Sequence, residues 1–349
     1  MTGDAFYMRE KRDTLNSLLP ASYPNVTQQL QIDRKYGMFI HFGINTFNDM
    51  EWSDGSLPLE SYTPPVIDAD GWVKNAYAAG MNYVILITKH HDGFCLFHTE
   101  YTDYCVKNTS NTTDVVAAVA EACKKYGVQL GLYYSLWDRH ETCYHQDDAY
   151  VQYMCNQLTE LLDGRYGDIC EVWFDGAWDK AEECWQIPVL YDLVHRLQPK
   201  CSVSTNLTIG ETGGEKWQNK YKPKRYKAGM PIRYFPSDFR LWDPHFTKKG
   251  NRDPKIYTFE NNAYYLPFEA TICIRNMRNW FWDPKYTQDR LLSTGFIVRK
   301  YKHLTRQNNV LIVNVAPNIY GRQEPSDIAR LMEVADKLGI ARRAESHST

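Results

Sequence analysis

Four times in its first half the chain alternates between a short apolar run and a helical segment. Only a parallel sheet with helices packed outside it is built that way. The runs cover residues 36–43, 83–88, 129–134 and 172–176, the last reading Val172-Trp173-Phe174-Asp175-Gly176. None alternates apolar with polar, so each reads as a strand buried on both faces. Between them, helical spacing over 68–79 stops at Gly80, Thr113-Asp114 caps a helix that ends at Gly127, and an amphipathic helix over 147–163 is followed by Gly164. The second half is less regular. It carries a helix over 180–197, a strand over 201–205 and long loops over 208–255 around a short sixth strand near 232–235. A seventh strand over 269–274, a helix over 287–304 and an eighth strand over 310–315 follow, then a last helix capped by Ser326 and ended by Gly339. Eight strands alternating with helices predict a single TIM-like (β/α)8 barrel over 35–340, with a polar lead-in over 1–34 and a tail over 341–349.

Composition narrows the partners. The formal net charge of −2 gives no basic field for nucleic acid or an anionic membrane. No stretch approaches the roughly 18 apolar residues of a membrane span, and the polar N-terminus lacks the blocks of a secretory signal. Nine cysteines, an odd number without a C-x-x-C pair, fit free thiols in a reducing, cytoplasmic compartment better than a disulfide framework or a zinc site. The 25 Tyr, 14 Phe and 10 Trp fit a large core first and apolar sugar faces second.

Polar residues gather where the apolar runs end: His41; Lys89, His90, His91 and Asp92; Tyr133, Tyr134 and Ser135; Asp175. Strand ends of a barrel converge on one face whatever their separation in sequence. By position alone Asp175 reads equally as a turn residue and as a catalytic acid, with Gly176 letting the chain turn sharply behind it. In an extended segment His90 and His91 point to opposite faces, so only one reaches the axis unless the chain bends there. His41, one histidine of the pair and Asp92 are a conceivable metal set. The i, i+4 histidine spacing of a helical metal motif is absent, so the reading calls for no metal and no cofactor.

Taken together, YGMFIHFG at 36–43, EW at 51–52, KHHDGF at 89–94, GLYYS at 131–135, VWFDG at 172–176 and NVLIVNVAP at 309–317 resemble the α-L-fucosidases of glycoside hydrolase family 29. The resemblance runs from residue 36 to 317. The segment KHHDGFCLFHTEYTDY at 89–104 looks most like the branch that prefers particular fucosylated linkages over aryl fucosides. The resemblance implies a retaining exo-glycosidase that removes terminal α-L-fucose from oligosaccharides through a covalent intermediate. Asp175 matches the nucleophile. His41, Glu51, Trp52, His90, His91 and Tyr134 match residues that hold the sugar, Trp52 and Trp173 also match apolar walls, and Glu269 matches a strand-end Glu that shapes the site. The segment supplying the acid/base does not align cleanly. Glu211, Glu215, Asp238, Asp243 and Glu269 are candidates, and Glu211 is favoured because it closely follows the fifth strand. The C-terminal β-sandwich common in the family is not expected here, which leaves an open subsite face or an oligomer to compensate. The alternatives are a non-hydrolytic sugar-binding barrel whose acid is lost, an exo-glycosidase for a galactoside-type sugar, and a metal-dependent hydrolase.

Overall fold

Eight parallel strands curl into one sheet whose order follows the chain: β1 (Tyr36–Ile40), β2 (Tyr83–Lys89), β3 (Gln129–Ser135), β4 (Ile169–Asp175), β5 (Ser202–Thr205), β6 (Arg240–Leu241), then β9 (Phe268–Cys273) and β10 (Val310–Asn314), which returns to pair with β1. A separate antiparallel hairpin, β7 (Ile256–Phe259) with β8 (Asn262–Tyr265), lies between β6 and β9 in the chain. These are features of a computed structural model, which describes residues 18–210, 227–241, 253–275, 279–286 and 291–342. The ends of the sheet, β5 and β6, are joined by side-chain and irregular backbone bonds instead of a ladder. Ser204 Oγ donates to the Phe239 carbonyl, the Leu241 N–H donates to Thr208 Oγ1, and the Asp238 N–H donates to the Val203 carbonyl. The barrel expected from the alternation is therefore present, with one seam closed by short strands.

Side-chain parity sorts each strand into two faces. Phe39, Ile85, Ile87, Tyr133, Trp173, Leu241 and Ile312 fill the barrel interior. Their neighbours Met38, Leu86, Leu132, Phe174 and Val313 face the helices. Gly37 is an inward position, and a Cβ there would lie 2.5 Å from the Tyr83 ring, so the glycine makes room for that ring on the neighbouring strand. The outer helices are α2 (Ala69–Ala78), α3 (Val115–Tyr126), α4 (Asp147–Leu162), α5 (Ile187–Leu197), α6 (Thr294–Thr305) and α7 (Pro325–Leu338). Each side chain fully buried in that layer, such as Leu158 or Leu190, contributes about 1.5–3 kcal/mol. The lead-in is more than a tail: α1 (Val26–Arg34) closes the barrel floor, where Arg34 Nη2 meets Glu171 Oε2 at 2.6 Å.

Four expectations are corrected. The sixth barrel strand is Arg240–Leu241, whereas Ile232 forms only an isolated bridge to Ile209. Pro231 and Pro236, on either side of the expected strand, have no N–H to give a ladder. The helix expected over 180–197 starts at Ile187, because Pro188 is tolerated only in a first turn, and a 3-10 turn, Glu182–Trp185, precedes it. The last helix is capped at Glu324 with Pro325 at its first position, not at Ser326. The helix expected from residue 287 starts at Thr294, with the Ser293 side chain accepting the Phe296 N–H. Residues 287–290 lie outside the described chain.

One buried ion pair ties α5 to the seam. His195 Nε2 lies 3.1 Å from Asp238 Oδ2, and Asp238 also accepts from the Tyr191 hydroxyl and the Val203 N–H. Burial pulls the His195 imidazolium down, but the Asp238 carboxylate more than restores it, and the net shift is upward from 6.5. A histidine raised in the folded state adds stability that is complete below its unfolded value and lost as the pH climbs through the folded one. Thermal melts of wild type and His195→Gln across pH 6 to 9 should show wild type losing its advantage as the pH rises. A constant difference would mean that the pair does not titrate.

Candidate active site

Asp175 ends β4 on the inward face, two residues above Trp173 and four above Glu171. The carboxylate is buried and held by two neutral donors. The Tyr133 hydroxyl donates to Oδ2 at 2.8 Å and the Asn206 amide to Oδ1 at 2.9 Å. Burial raises the carboxyl above its usual range, while these two bonds work against that rise by favouring the charged form. Gly176, at φ +78°, turns the chain away at once. A Cβ there would sit 2.7 Å from Trp137 Cβ, so only glycine keeps the wall this close to the acid.

Three imidazoles surround the mouth. The chain does bend after β2: the Gly93 N–H bonds back to the His90 carbonyl, and the two adjacent rings end on the same side, 4.2 Å apart. Asp92 is used for the turn itself, accepting the Phe94 N–H and the Asn45 amide. His41 Nδ1 lies 2.8 Å from Asn314 Oδ1, an acceptor, so that nitrogen carries the proton and Nε2 is left bare. His91 Nδ1 lies 2.6 Å from Ser135 Oγ, whose own proton goes to the Trp137 carbonyl. His91 Nε2 is then a bare acceptor 3.6 Å from Asp175 Oδ2, and two acceptors that close call for a donor between them, such as a ligand hydroxyl. Burial keeps all three rings neutral: it depresses His90 to about 3 and puts His41 and His91 well below their usual range. His90 Nδ1 is buried without a partner among the described residues.

Aromatic side chains line the rim. Trp52, 45% exposed, packs edge-on to His91 and Trp137 and stacks on Trp178. Trp280 and Phe281 cover His41 from the other side. Glu51 holds this second wall, accepting the backbone N–H groups of Trp280 and Phe281. Burial drives the Glu51 carboxyl up to about 8 despite those bonds. Among the described residues no group of three or more His, Cys, Asp or Glu is placed to hold a metal ion.

The structure thus brings together Asp175, His41, His90, His91, Glu51 and Trp52, with the fully buried Trp173 beneath them as a floor. It does not bring Tyr134. Parity sends that side chain outward, where its hydroxyl bonds Gln157 on α4, and the residue that faces the cleft is Tyr133. Glu269 is not at the mouth either. It opens β9 beside Val310, at the N-terminal end of the barrel, and accepts the Trp173 indole N–H from below at 3.1 Å. Asp238 is consumed by the seam. Glu211, Glu215 and Asp243 lie outside the described residues. Sequence reasoning missed Asn206 and Asn314, although each sits at a strand end where it was to be sought. Trp280 and Phe281 lie in an aperiodic segment that carries no signal.

The family model described as Alpha-L-fucosidase matches residues 49–341. The chain is 34% identical over 327 residues to alpha-L-fucosidase 1 of Arabidopsis thaliana, covering 89% of this chain and 59% of that protein. It spans under three fifths of the length of the two plant relatives it matches over most of its own length. Among solved structures it is similar to alpha-L-fucosidase isoenzyme 1 from Paenibacillus thiaminolyticus, at 26% identity and a TM-score of 0.70 over 90% of this chain and 76% of the other. The fold also matches a trapped covalent intermediate of an alpha-L-fucosidase from Bacteroides thetaiotaomicron, at 19% identity and a TM-score of 0.72 over 93% and 76% of the chains.

The raised Glu51 carboxyl can be checked through stability. An unfolded glutamate ionises near 4.5 and the folded one near 8, so ionisation favours the unfolded chain between these values and stability falls as the pH rises across them. Glu51→Gln, which cannot ionise, should remove that contribution. Melting curves from pH 4.5 to 8 should show the variant gaining on wild type with rising pH, and parallel curves would place the Glu51 pKa in the ordinary range.

Proposed function

The chain belongs to the alpha-L-fucosidase family, and from that premise we propose that it is a retaining exo-glycosidase hydrolysing terminal α-L-fucosyl linkages of oligosaccharides or glycoconjugates, with Asp175 as nucleophile. One observation carries this reading: a buried carboxylate at the mouth of the barrel, fixed by Tyr133 and Asn206 and facing the bare Nε2 of His91. The hydrogen bonds from Tyr133 and Asn206 favour its charged form against burial, and no lysine or arginine among the described residues is paired with it. Fucose offers hydroxyls to the neutral His41, His90 and His91, and an apolar face to the exposed indole of Trp52.

In the first step an Asp175 oxygen forms a bond to the anomeric carbon as the glycosidic C–O bond breaks. A carboxylic acid about 5–5.5 Å away gives its proton to the leaving oxygen. In the second step the same group, now a base, takes a proton from water, the water oxygen bonds the anomeric carbon, and the ester to Asp175 breaks. We assign the acid/base to Glu211, on its place soon after β5, the strand beside β4. Glu51 is the second reading, because its raised carboxyl holds a proton at neutral pH.

Asp175→Ala should abolish turnover of both aryl and oligosaccharide α-L-fucosides. Proton NMR of the first turnovers should show α-L-fucose before mutarotation, and initial release of the β anomer would exclude a retaining path. Between the two acids, leaving groups decide. The true acid's Gln variant should lose turnover on fucosides with poor leaving groups, keep it on an activated aryl fucoside and be rescued by azide. If Glu211→Gln behaves like wild type on both substrates while Glu51→Gln shows this pattern, the acid is Glu51.

A further inference from the structure

Below the nucleophile the barrel interior holds a second polar centre that the catalytic reading leaves unused. Glu269 and Glu171 are wholly buried at its floor. Arg34 pairs with Glu171 Oε2, while Glu269 collects three donors: Trp173 Nε1 at 3.1 Å, the Tyr83 hydroxyl at 2.8 Å and Gln31 Nε2 at 3.2 Å. Among the described residues, Glu171 Oε1 is buried with no donor of its own other than a proton shared with Glu269. Burial and the neighbouring Glu171 charge raise the Glu269 carboxyl far above its usual range, so it keeps that proton and donates it to Glu171. The charge of the floor is then one carboxylate matched by one guanidinium.

The floor is coupled upward by contact. The Trp173 indole whose N–H ends on Glu269 lies 5.6 Å from the Tyr133 ring at an interplanar angle of 24°, and their Cα atoms are partners across β3 and β4. His90, on the far side of β3 from Trp173, stacks on the same Tyr133 ring at 16°. Tyr133 in turn donates to Asp175 at 2.8 Å. An indole free to tilt would release the ring that aims this donor. We propose that Glu269 is a positioning residue: by anchoring the Trp173 indole from the barrel floor, it sets the Tyr133 hydroxyl on the Asp175 carboxylate. This rests on Asp175 being the nucleophile.

The test is a double-variant cycle with Glu269→Leu and Tyr133→Phe, read as kcat, KM and the acidic limb of kcat/KM on an activated aryl α-L-fucoside. Each single variant should lower kcat about tenfold, the scale of one hydrogen bond to a charged group. Each should also move the acidic limb up by about one pH unit as Asp175 loses its donor, with little change in KM. Because both act on one bond, adding Glu269→Leu to Tyr133→Phe should cost almost nothing further. Glu269→Gln, which still offers an oxygen to the indole and an N–H to Glu171, should restore most of kcat and the wild-type limb. A purely structural role lowers the melting temperature of Glu269→Leu but leaves its kcat per folded enzyme and its acidic limb unmoved. That result, or losses that multiply in the double variant, overturns the proposal. If Glu269→Leu does not fold, Trp173→Phe deletes the same N–H and must reproduce the limb shift, and an unshifted limb there is equally fatal. Asp175→Ala is assayed alongside. Retained turnover in it overturns the nucleophile reading and this one with it, whereas an inactive Asp175→Ala with an unmoved Glu269→Leu overturns only this one.

Discussion

Everything at the cleft hangs from the register of one parallel strand pair, β3 on β4. Tyr133 lies opposite Trp173 and Ser135 opposite Asp175. With side chains alternating faces, this register puts Glu171, Trp173 and Asp175 in one inward file and Val172 and Phe174 among the helices. It delivers the Tyr133 hydroxyl to Asp175, and it places Ser135 where its hydroxyl fixes the tautomer of His91. A slip of one residue would exchange the two files, burying the carboxylate against α4 and α5 and turning two large apolar side chains into the barrel. The register is held by the two packed apolar faces that make the core, so fold and site have one cause.

Burial holds the three imidazoles of the mouth neutral and pushes its two carboxyls, Glu51 and Asp175, toward the neutral form. Desolvation disfavours every charge there, and it removes the imidazolium forms of His41, His90 and His91. Asn314 and Ser135 then decide which nitrogen keeps the proton. The result is a set of fixed donors and acceptors suited to uncharged hydroxyls. Asp175 experiences the same desolvation, and the aimed hydrogen bonds from Tyr133 and Asn206 offset part of the rise. Among the described residues Glu51 has backbone donors only, and burial prevails over them.

Much of this was legible in the sequence because strands that end abruptly in polar residues carry their own positional information. His41, the His90-His91 pair and Asp175 could be placed on one face from the alternation alone. The choice between Tyr133 and Tyr134 was not legible, since it depends on the β3–β4 register that pairs Tyr133 with the inward Trp173. Resemblance to a motif names a dipeptide, whereas the pleat selects one member of it. Glu269 illustrates the complementary error. A glutamate beside a strand boundary looks functional, but the first residues of a barrel strand lie at the closed end. Four residues at about 3.3 Å each separate it from the mouth level reached by Cys273, which partners Asn314. The second half was harder because its connections are not periodic. Two-residue β6 has too few positions to show a pattern, and Trp280 reaches His41 only through the backbone bonds of Glu51 and Asn314.

The two ends of the barrel treat their carboxylates oppositely, and the difference has a chemical meaning. At the floor Glu171 is matched by Arg34, an arrangement that stabilises a permanent charge and leaves it nothing to react with. At the mouth no lysine or arginine among the described residues is paired with Asp175, and its partners are a phenol, an amide and a neutral imidazole. In the proposed reaction positive charge grows on the sugar as the leaving group departs. A guanidinium beside Asp175 would stabilise the carboxylate before the reaction and repel that growing charge during it, and both effects raise the reaction barrier. Neutral donors avoid this: they hold the carboxylate in place and leave the developing cation as its strongest electrostatic partner. Stabilisation is then larger in the transition state than in the resting enzyme, which is the condition for acceleration.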